Sequence, residues 1–300
     1  IMAGHGETRL TRPSCPDKSD DMTDAGQHAP LAERLQTLLF VPGTRPDRFG
    51  RALDSGADAV CIDLEDAVPA ADKADARKAA LAALGDPRLV LRVNGSGTAA
   101  GAADLAALAA APSRPALLLL PKVENAAELS AAAALGVPLV PLIETPRGLR
   151  HAHEIGAAAG VAAMMFGGGD LSAELGVDLG WEPLATARGL FVLACAEAGV
   201  PAIDVPYLHL DDAAGLIEET RRARAIGFSA KAAIHPQQIA TIHEVLRPTA
   251  AEIAEALEAE QVFQAAGGAA VRFRGRLLEA PVMRRYRRIL DQGRHACVTE

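Results

Sequence analysis

A chain of 300 residues, half of them hydrophobic and with a mean hydropathy of +0.13, can bury one large α/β core, which excludes disorder over most of its length. Aromatic residues are only 3% and the net charge is −8 with a pI near 5.5, so neither a stacking surface nor a basic groove for nucleic acid is expected. The four cysteines (Cys15, Cys61, Cys195, Cys297) are far apart with no CxxC, no apolar run reaches a bilayer span, and the start carries no signal pattern; reduced thiols, no membrane and a cytoplasmic location follow as expectations.

Residues 1–30 are rich in Asp, Thr, Gly, Pro and His with almost no apolar periodicity, and are expected to be a disordered extension. From residue 37 onward, apolar runs alternate with Ala-rich amphipathic stretches. The runs are Leu38–Val41, Ala59–Leu64, Leu89–Val93, Ala116–Leu120, Leu139–Ile143, Ala162–Phe166, Ala202–Val205 and Phe228–Ile234. Helical candidates follow each in turn: Pro46–Ser55, Asp72–Leu84, Ala102–Ala110, Ala126–Leu135, Leu149–Ala159, Leu184–Ala198, Asp211–Ala225 and Pro236–Leu246. Gly56, Gly136, Gly199 and Gly227 stand where a left-handed residue would end a helix. Eight strand–helix pairs predict a (β/α)8 TIM barrel over residues 31–247, with an open doubly wound sheet as the competitor. After the break at Arg247-Pro248-Thr249 come a Glu/Ala-rich helix (Ala250–Ala266), a Gly-Gly turn and the segment VRFRGRLLEAPVMRRYRRIL. Residues 248–300 are read as a C-terminal helical arm, serving as a lid or for oligomerisation.

In a barrel the reacting groups sit at the C-terminal ends of the strands. Here those ends read Asp63-Leu64-Glu65-Asp66, Arg92-Val93-Asn94, Pro121-Lys122, Glu144-Thr145, Gly167-Gly168-Gly169-Asp170 and Asp204, with Lys231 inside the eighth run. A single such residue is ordinarily a solvated loop residue or a cap, but carboxylates, an Arg and two Lys converging on one mouth need ligands. Glu144 and Asp170 follow adjacent strands, and two hard oxygens without His or Cys suit Mg2+, with Mn2+ as the alternative. The plainer reading of Asp170 is a cap of a helix beginning at Leu171. Arg92 could grip a substrate carboxylate with two parallel hydrogen bonds, or simply pair with Asp63 or Glu65. Backbone N–H groups of the glycine run, Gly168 and Gly169 among them, could approach a carboxylate or phosphate of the ligand. A Schiff base on Lys122 or Lys231 needs a depressed amine pKa, which the surrounding carboxylates oppose.

The motifs VPGTRPDRF, DLEDAV with Lys73 after it, LRVNG, LPKVEN, PLIETPRGL, FGGGDLSAELG, PAIDVPY and AKAAIHPQQI, in that order, resemble the citrate lyase beta-subunit-like members of the HpcH/HpaI aldolase and malyl-CoA lyase superfamily, from about Leu38 to Leu290. The resemblance implies a homotrimer, or a dimer of trimers. It implies Mg2+-dependent cleavage of citryl-CoA, citramalyl-CoA or malyl-CoA to acetyl-CoA and a 2-keto acid, or the reverse condensation. Glu144 and Asp170 match the metal ligands and Arg92 the substrate-carboxylate arginine; Lys122, Gly168 and Gly169 are expected to bind the substrate with it. Glu65 matches an acidic residue near the metal's water shell, and Arg45 and Lys73 fall where relatives approach CoA. This chain departs in having Gly169 where many relatives are acidic, Ala230 before Lys231, and Glu279 where malyl-CoA-lyase-like members place an Asp that acts on the acetyl-CoA methyl of a neighbouring subunit. A CoA-independent pyruvate-type class II aldolase, a malyl-CoA thioesterase and a non-catalytic acyl-CoA-binding subunit are the rival readings.

Overall fold

The computed structural model describes residues 30–298; the extension expected over residues 1–30 falls almost wholly outside them, as does Cys15. Residues 30–248 form one compact unit and the chain from Thr249 another. In the first, eight parallel strands close a barrel in chain order: β1 (Thr37–Pro42), β2 (Ala59–Asp63), β3 (Leu89–Arg92), β4 (Leu118–Leu120), β5 (Leu139–Ile143), β6 (Met164–Phe166), β7 (Ala202–Asp204) and β8 (Ala230–Ala233). The seam is the β1/β8 pairing, with Thr37 opposite Lys231 and Leu39 opposite Ala233. The open-sheet alternative is thereby set aside.

Each strand is a near-continuous apolar run because both of its faces are covered, as parallel sheets require. Alternation then sorts the side chains. Leu38, Cys61, Val90, Leu119, Leu142, Met165, Ile203 and Ala232 fill the barrel interior. Their neighbours Leu39, Ile62, Leu91, Leu120, Ile143 and Phe166 face the helices. The short helix Leu31–Arg34 contributes Ala32, which with Leu35 joins the interior cluster. One step further up each strand, period two makes Asp63, Arg92, Glu144, Gly167, Val205 and Ile234 the next inward layer. Polar chemistry therefore begins where the apolar layers stop.

Helix ends follow local chemistry. Gly56, Gly136, Gly199 and Gly227 all take positive φ, as read from the sequence. The helix Trp181–Ala198 starts three residues earlier than expected, because Pro183 sits in its first turn, where the missing N–H removes no helical bond. The expected helix Leu149–Ala159 is two short ones, Pro146–Arg150 and Ala152–Gly156, meeting at His151. A further helix, Gly168–Leu175, begins directly after β6.

The other end of the barrel carries a latch. Asp58 Oδ2 accepts from the N–H groups of Gln36 (2.9 Å) and Thr37 (2.8 Å) and lies 3.1 Å from Nε2 of His243, which is 3.0 Å from Thr37 Oγ1. It joins the starts of β1 and β2 to the helix Gln237–Leu246. Burial alone would raise the Asp58 pKa, but the hydrogen bonds from His243, Thr37 and Gln36 outweigh it and hold the carboxylate below its ordinary range. A lowered folded pKa contributes stability that is complete above the unfolded value and is lost as pH falls through the folded one. Asp58→Asn is expected to cost about 1–3 kcal/mol at pH 7 and much less near pH 3. Denaturant titrations at the two pH values check this, and an equal loss at both would refute it.

The second unit consists of the helix Ala250–Ala265, a two-stranded hairpin of β9 (Val271–Phe273) and β10 (Arg276–Leu278), and the helix Ala280–Val298. Thr249 and Glu252 form a reciprocal capping box at its entrance. Ala256, Ala259, Phe263, Phe273, Leu278, Met283, Tyr286 and Ile289 give it a core of its own. Arg274 and Gly275, both at positive φ, make the two-residue turn. Cys61 and Cys195 are unbridged and buried. No helix among the described residues is long and apolar enough to cross a membrane.

Candidate active site at the barrel mouth

The mouth of the barrel holds a cavity of about 480 Å³ whose lining includes Asp63, Asp66, Arg92, Glu144, Gly167, Gly169 and Asp170 together with the apolar Phe40, Leu142, Met165, Val205, Pro206 and Ile234. Glu144 and Asp170 thus share one cavity, and both reach Lys122. The Lys122 N–H donates to Glu144 Oε1 at 2.6 Å, in a backbone held at φ +53°, and its Nζ lies 3.2 Å from Asp170 Oδ2. The same ammonium contacts Glu65 Oε1 at 2.7 Å and Asp66 Oδ1 at 3.4 Å. Partial burial would lower its pKa, but the hydrogen bond to Glu65 and the surrounding charges carry it above its ordinary value. That is the opposite of what a Schiff-base lysine needs.

Arg92 uses its Nε and one terminal nitrogen in a fork to Asp63, both at 2.7 Å, and its other terminal nitrogen lies 2.9 Å from Glu65 Oε2. The guanidinium stands over the Phe40 ring, 5.3 Å from its centroid. So the fork anticipated for a substrate is directed at Asp63, and the third nitrogen, which also lies 3.5 Å from Asp66 Oδ2, is shared by Glu65 and Asp66, while the residue lines the cavity. Glu65 is buried, and burial first, then Asp66, raise its pKa against the pull of Arg92 and Lys122.

Glu144 is 4% exposed. Burial, then the charges of Glu65 and Asp170, push its pKa up to about 8 against the Lys122 N–H. Asp170 Oδ2 and Glu65 Oε2 are buried oxygens without a properly aligned hydrogen bond, although each has a cation nearby. Hard oxygens crowded and under-neutralised in this way fit a small divalent cation. Among the described residues no three Asp, Glu, His or Cys side chains form a metal cluster; a site of two carboxylates with its other positions left to water and substrate is the habit of Mg2+.

Asp170 is not the helix cap of the plainer reading. It is the third residue of the helix Gly168–Leu175, whose N-cap is Gly167, with no side-chain cap bond. The first N–H groups of that helix, Gly168 and Gly169 included, have no i−4 partner within it. Gly168 is buried, a Cβ there meeting Leu179, Phe166 and Val205 at 3.2 Å each, whereas a Cβ on Gly169 would meet nothing within 4 Å. Gly167 was read in the sequence only as one of the glycine run. A Cβ on it would collide with Glu144 Cβ and come within 2.6 Å of Glu144 Oε2, so it is the residue that lets Glu144 lie against β6.

Two residues read as mouth residues are elsewhere. Lys231 and Asp204 have the opposite parity to Ala230, Ala232 and Ile203, and lie outside the barrel wall, where Lys231 Nζ meets Asp204 Oδ2 at 2.7 Å, Glu219 Oε1 at 2.8 Å and the Val205 carbonyl at 2.8 Å. The Lys73 ammonium is spent on the carbonyls of Leu64 and Glu65, each 3.0 Å away, and on Asn94 Oδ1 at 2.5 Å. Arg45 pairs with Asp47 beside it and is partly exposed. Glu279 belongs to the C-terminal unit, between β10 and the last helix.

Residues 36–236 match the model of the HpcH/HpaI aldolase/citrate lyase family, and the chain belongs to that family. It is 38% identical over 253 residues to a citrate lyase subunit beta-like protein of Mycobacterium tuberculosis (82% of this chain, 90% of the relative). It is 36% identical over 231 residues to a (3S)-malyl-CoA thioesterase of Cereibacter sphaeroides (74% of this chain, 80% of the relative). The crystal structure of CitE from Mycobacterium tuberculosis in complex with magnesium, acetoacetate and coenzyme A superposes with a TM-score of 0.75 at 35% identity, covering 86% of this chain and 98% of that one.

Proposed function

We propose that the protein is a Mg2+-dependent carbon–carbon lyase that splits a 3-hydroxyacyl-CoA into acetyl-CoA and a short 2-keto acid, or joins them in reverse, with citramalyl-CoA as the substrate ahead of malyl-CoA and citryl-CoA. The observation that carries this reading is the mixed lining of the cavity. Glu144, Asp170 and Arg92 stand in it beside the apolar Phe40, Leu142, Met165, Val205, Pro206 and Ile234. The apolar part of the lining suits the methyl of pyruvate better than the second carboxylate arm of oxaloacetate. The magnesium, keto acid and coenzyme A held by the Mycobacterium tuberculosis relative support the reading.

Glu144 and Asp170 would hold the ion, which when bound supplies Lewis acidity to the oxygen that becomes the keto group. Arg92, in the lining of the cavity, orients the carboxylate, assisted by the N–H groups of Gly168 and Gly169. Glu65, held between Arg92 and Lys122, receives the hydroxyl proton. The bond between the hydroxyl-bearing carbon and the thioester α-carbon breaks, its electrons pass into the thioester carbonyl, and the resulting enolate takes a proton at carbon from Glu279. Residues 248–300 serve as the lid or oligomerisation arm that brings Glu279 to a neighbouring site, in a homotrimer or dimer of trimers. Arg45 approaches the CoA, and Lys73 acts there by fixing the Leu64–Glu65 loop.

The thioesterase relative favours a second reading, in which the same cavity holds malyl-CoA for hydrolysis. A panel of citramalyl-, malyl- and citryl-CoA and the free acids, with Mg2+, separates the readings by quantifying keto acid, acetyl-CoA and free CoA. Citramalyl-CoA is expected to exceed citryl-CoA by about a hundredfold in kcat/KM, the equivalent of ~2.7 kcal/mol. Equal rates would remove the argument from the apolar lining. Free CoA without keto acid would mean the thioesterase, turnover of free acids the CoA-independent aldolase, and binding without turnover the acyl-CoA-binding subunit.

A further inference from the structure

Outside the barrel wall, between β7, β8 and two helices, lies a charge quartet that the reaction does not use. Arg188 and Asp204 are fully buried, Lys231 is 1% exposed, and Glu219 is nearly covered. Arg188 comes from the helix Trp181–Ala198 and Glu219 from the helix Ala213–Ile226. Arg188 Nε donates to Asp204 Oδ1 at 3.1 Å, and Lys231 completes the set with three acceptors. Two cations and two anions balance, yet buried ion pairs are poor stabilisers compared with apolar groups of similar volume. One terminal nitrogen of Arg188 even lacks a hydrogen-bond partner, standing 3.9 Å from Glu219. A device that forgoes stability in this way calls for another reason.

The reason lies in what the quartet touches. The Arg188 guanidinium lies over the rings of both Phe166 and Trp181, at 5.4 and 4.9 Å from their centroids. Its NH1 donates to the Gly180 carbonyl at 3.2 Å. Phe166 ends β6 immediately before the helix Gly168–Leu175, and Gly180 ends the loop that leaves it. Lys231 holds the Val205 carbonyl, and Val205 packs with Phe166 and Leu179 around Gly168, the first residue of that helix. The element that carries Asp170 is therefore gripped at its entrance and at its exit by groups anchored on one guanidinium.

We propose that Arg188, through Asp204, Glu219 and Lys231, is a positioning residue that sets Asp170 opposite Glu144 and so tunes the affinity of the divalent-cation site. This rests on the reading of Asp170 as a metal ligand. Lysine at 188 keeps the charge but cannot reach Asp204 and Gly180 in fixed directions or stack on the two rings. In Arg188→Lys, substrate-free Mn2+ binding followed by electron paramagnetic resonance is expected to weaken by about tenfold, the range seen when groups behind a ligand are changed. Binding is measured well below the melting temperature, so that a merely structural role leaves it unmoved. Glu219→Gln, which keeps the shape at a less buried position, is the second variant and is expected to weaken Mn2+ binding in the same direction by a smaller factor than Arg188→Lys. Unchanged Mn2+ affinity in a folded variant overturns the positioning role if Asp170→Asn abolishes binding. If Asp170→Asn itself leaves binding intact, it is the ligand reading that fails.

Discussion

Glu144→Gln and Asp170→Asn are each expected to lower turnover of the preferred thioester by about a thousandfold or more and to abolish thermal stabilisation by Mg2+. Removing a Lewis acid from such a reaction forfeits several kcal/mol of charge stabilisation, and ~4 kcal/mol corresponds to three decades in rate. In the unsubstituted protein, Mg2+ at about a hundred times its Kd adds ~2.7 kcal/mol of stability. For a unit of this size that is a rise of roughly 5–10 °C in Tm. Without the ion the Glu144→Gln protein should be at least as stable as its parent, because a neutral amide replaces a buried carboxyl group whose ionised form burial, Glu65 and Asp170 disfavour. Activity within tenfold of the parent after chelation, or an unchanged Mg2+ shift in both variants, would remove the metal from the scheme.

The second large effect is predicted for a residue with no side chain. Gly167→Ala drives a methyl into Glu144, reaching its Cβ and Oε2 and passing 3.2 Å from its Cα, so backbone as well as side chain must give way. Overpacking of this kind costs about 1–3 kcal/mol. Because the group displaced is Glu144 itself, kcat/KM is expected to fall by about a hundredfold, in line with a ligand or reactant misplaced by about 1 Å. Gly169→Ala is the control two residues on. Its methyl would enter the cavity without meeting protein, leaving Tm within about 1 °C while raising KM. Melting curves and steady-state kinetics of the two proteins decide the matter, and equal behaviour of the two would refute the assignment of Gly167 to Glu144.

Much of this was legible in the chain, and the reason is period. Eight apolar runs separated by helical stretches give the barrel, and residues at the ends of those runs gather at one mouth because parallel strands all point the same way. Glu144, Asp170, Arg92, Lys122 and Glu65 were found on that ground. Applied one residue more strictly, the same period would have removed Lys231 and Asp204 from the mouth, since Ala230, Ala232 and Ile203 had already claimed the inward parity. Arg188 was invisible for a different reason: a lone Arg in the Ala-rich helix LATARGLFVLA reads as a solvated face, and only tertiary structure reveals its partners. Gly167 was hidden among three glycines, of which steric contact with Glu144 singles out one. The β9/β10 hairpin was missed because Arg274 rather than Asn or Asp precedes its turn glycine.

The latch at the foot of the barrel also bears on how the fold is reached. Thr37 and His243 are 206 residues apart in the chain, so this contact and the β1/β8 seam form only after almost the whole barrel unit has emerged. Closing so long a loop makes the seam a late, high-contact-order event. Until then the edges of β1 and β8 stay unpaired and open to association with other chains. A chain ending at Pro248 retains His243 and can shut the barrel. One ending before Ala230 leaves the first strand without its last neighbour.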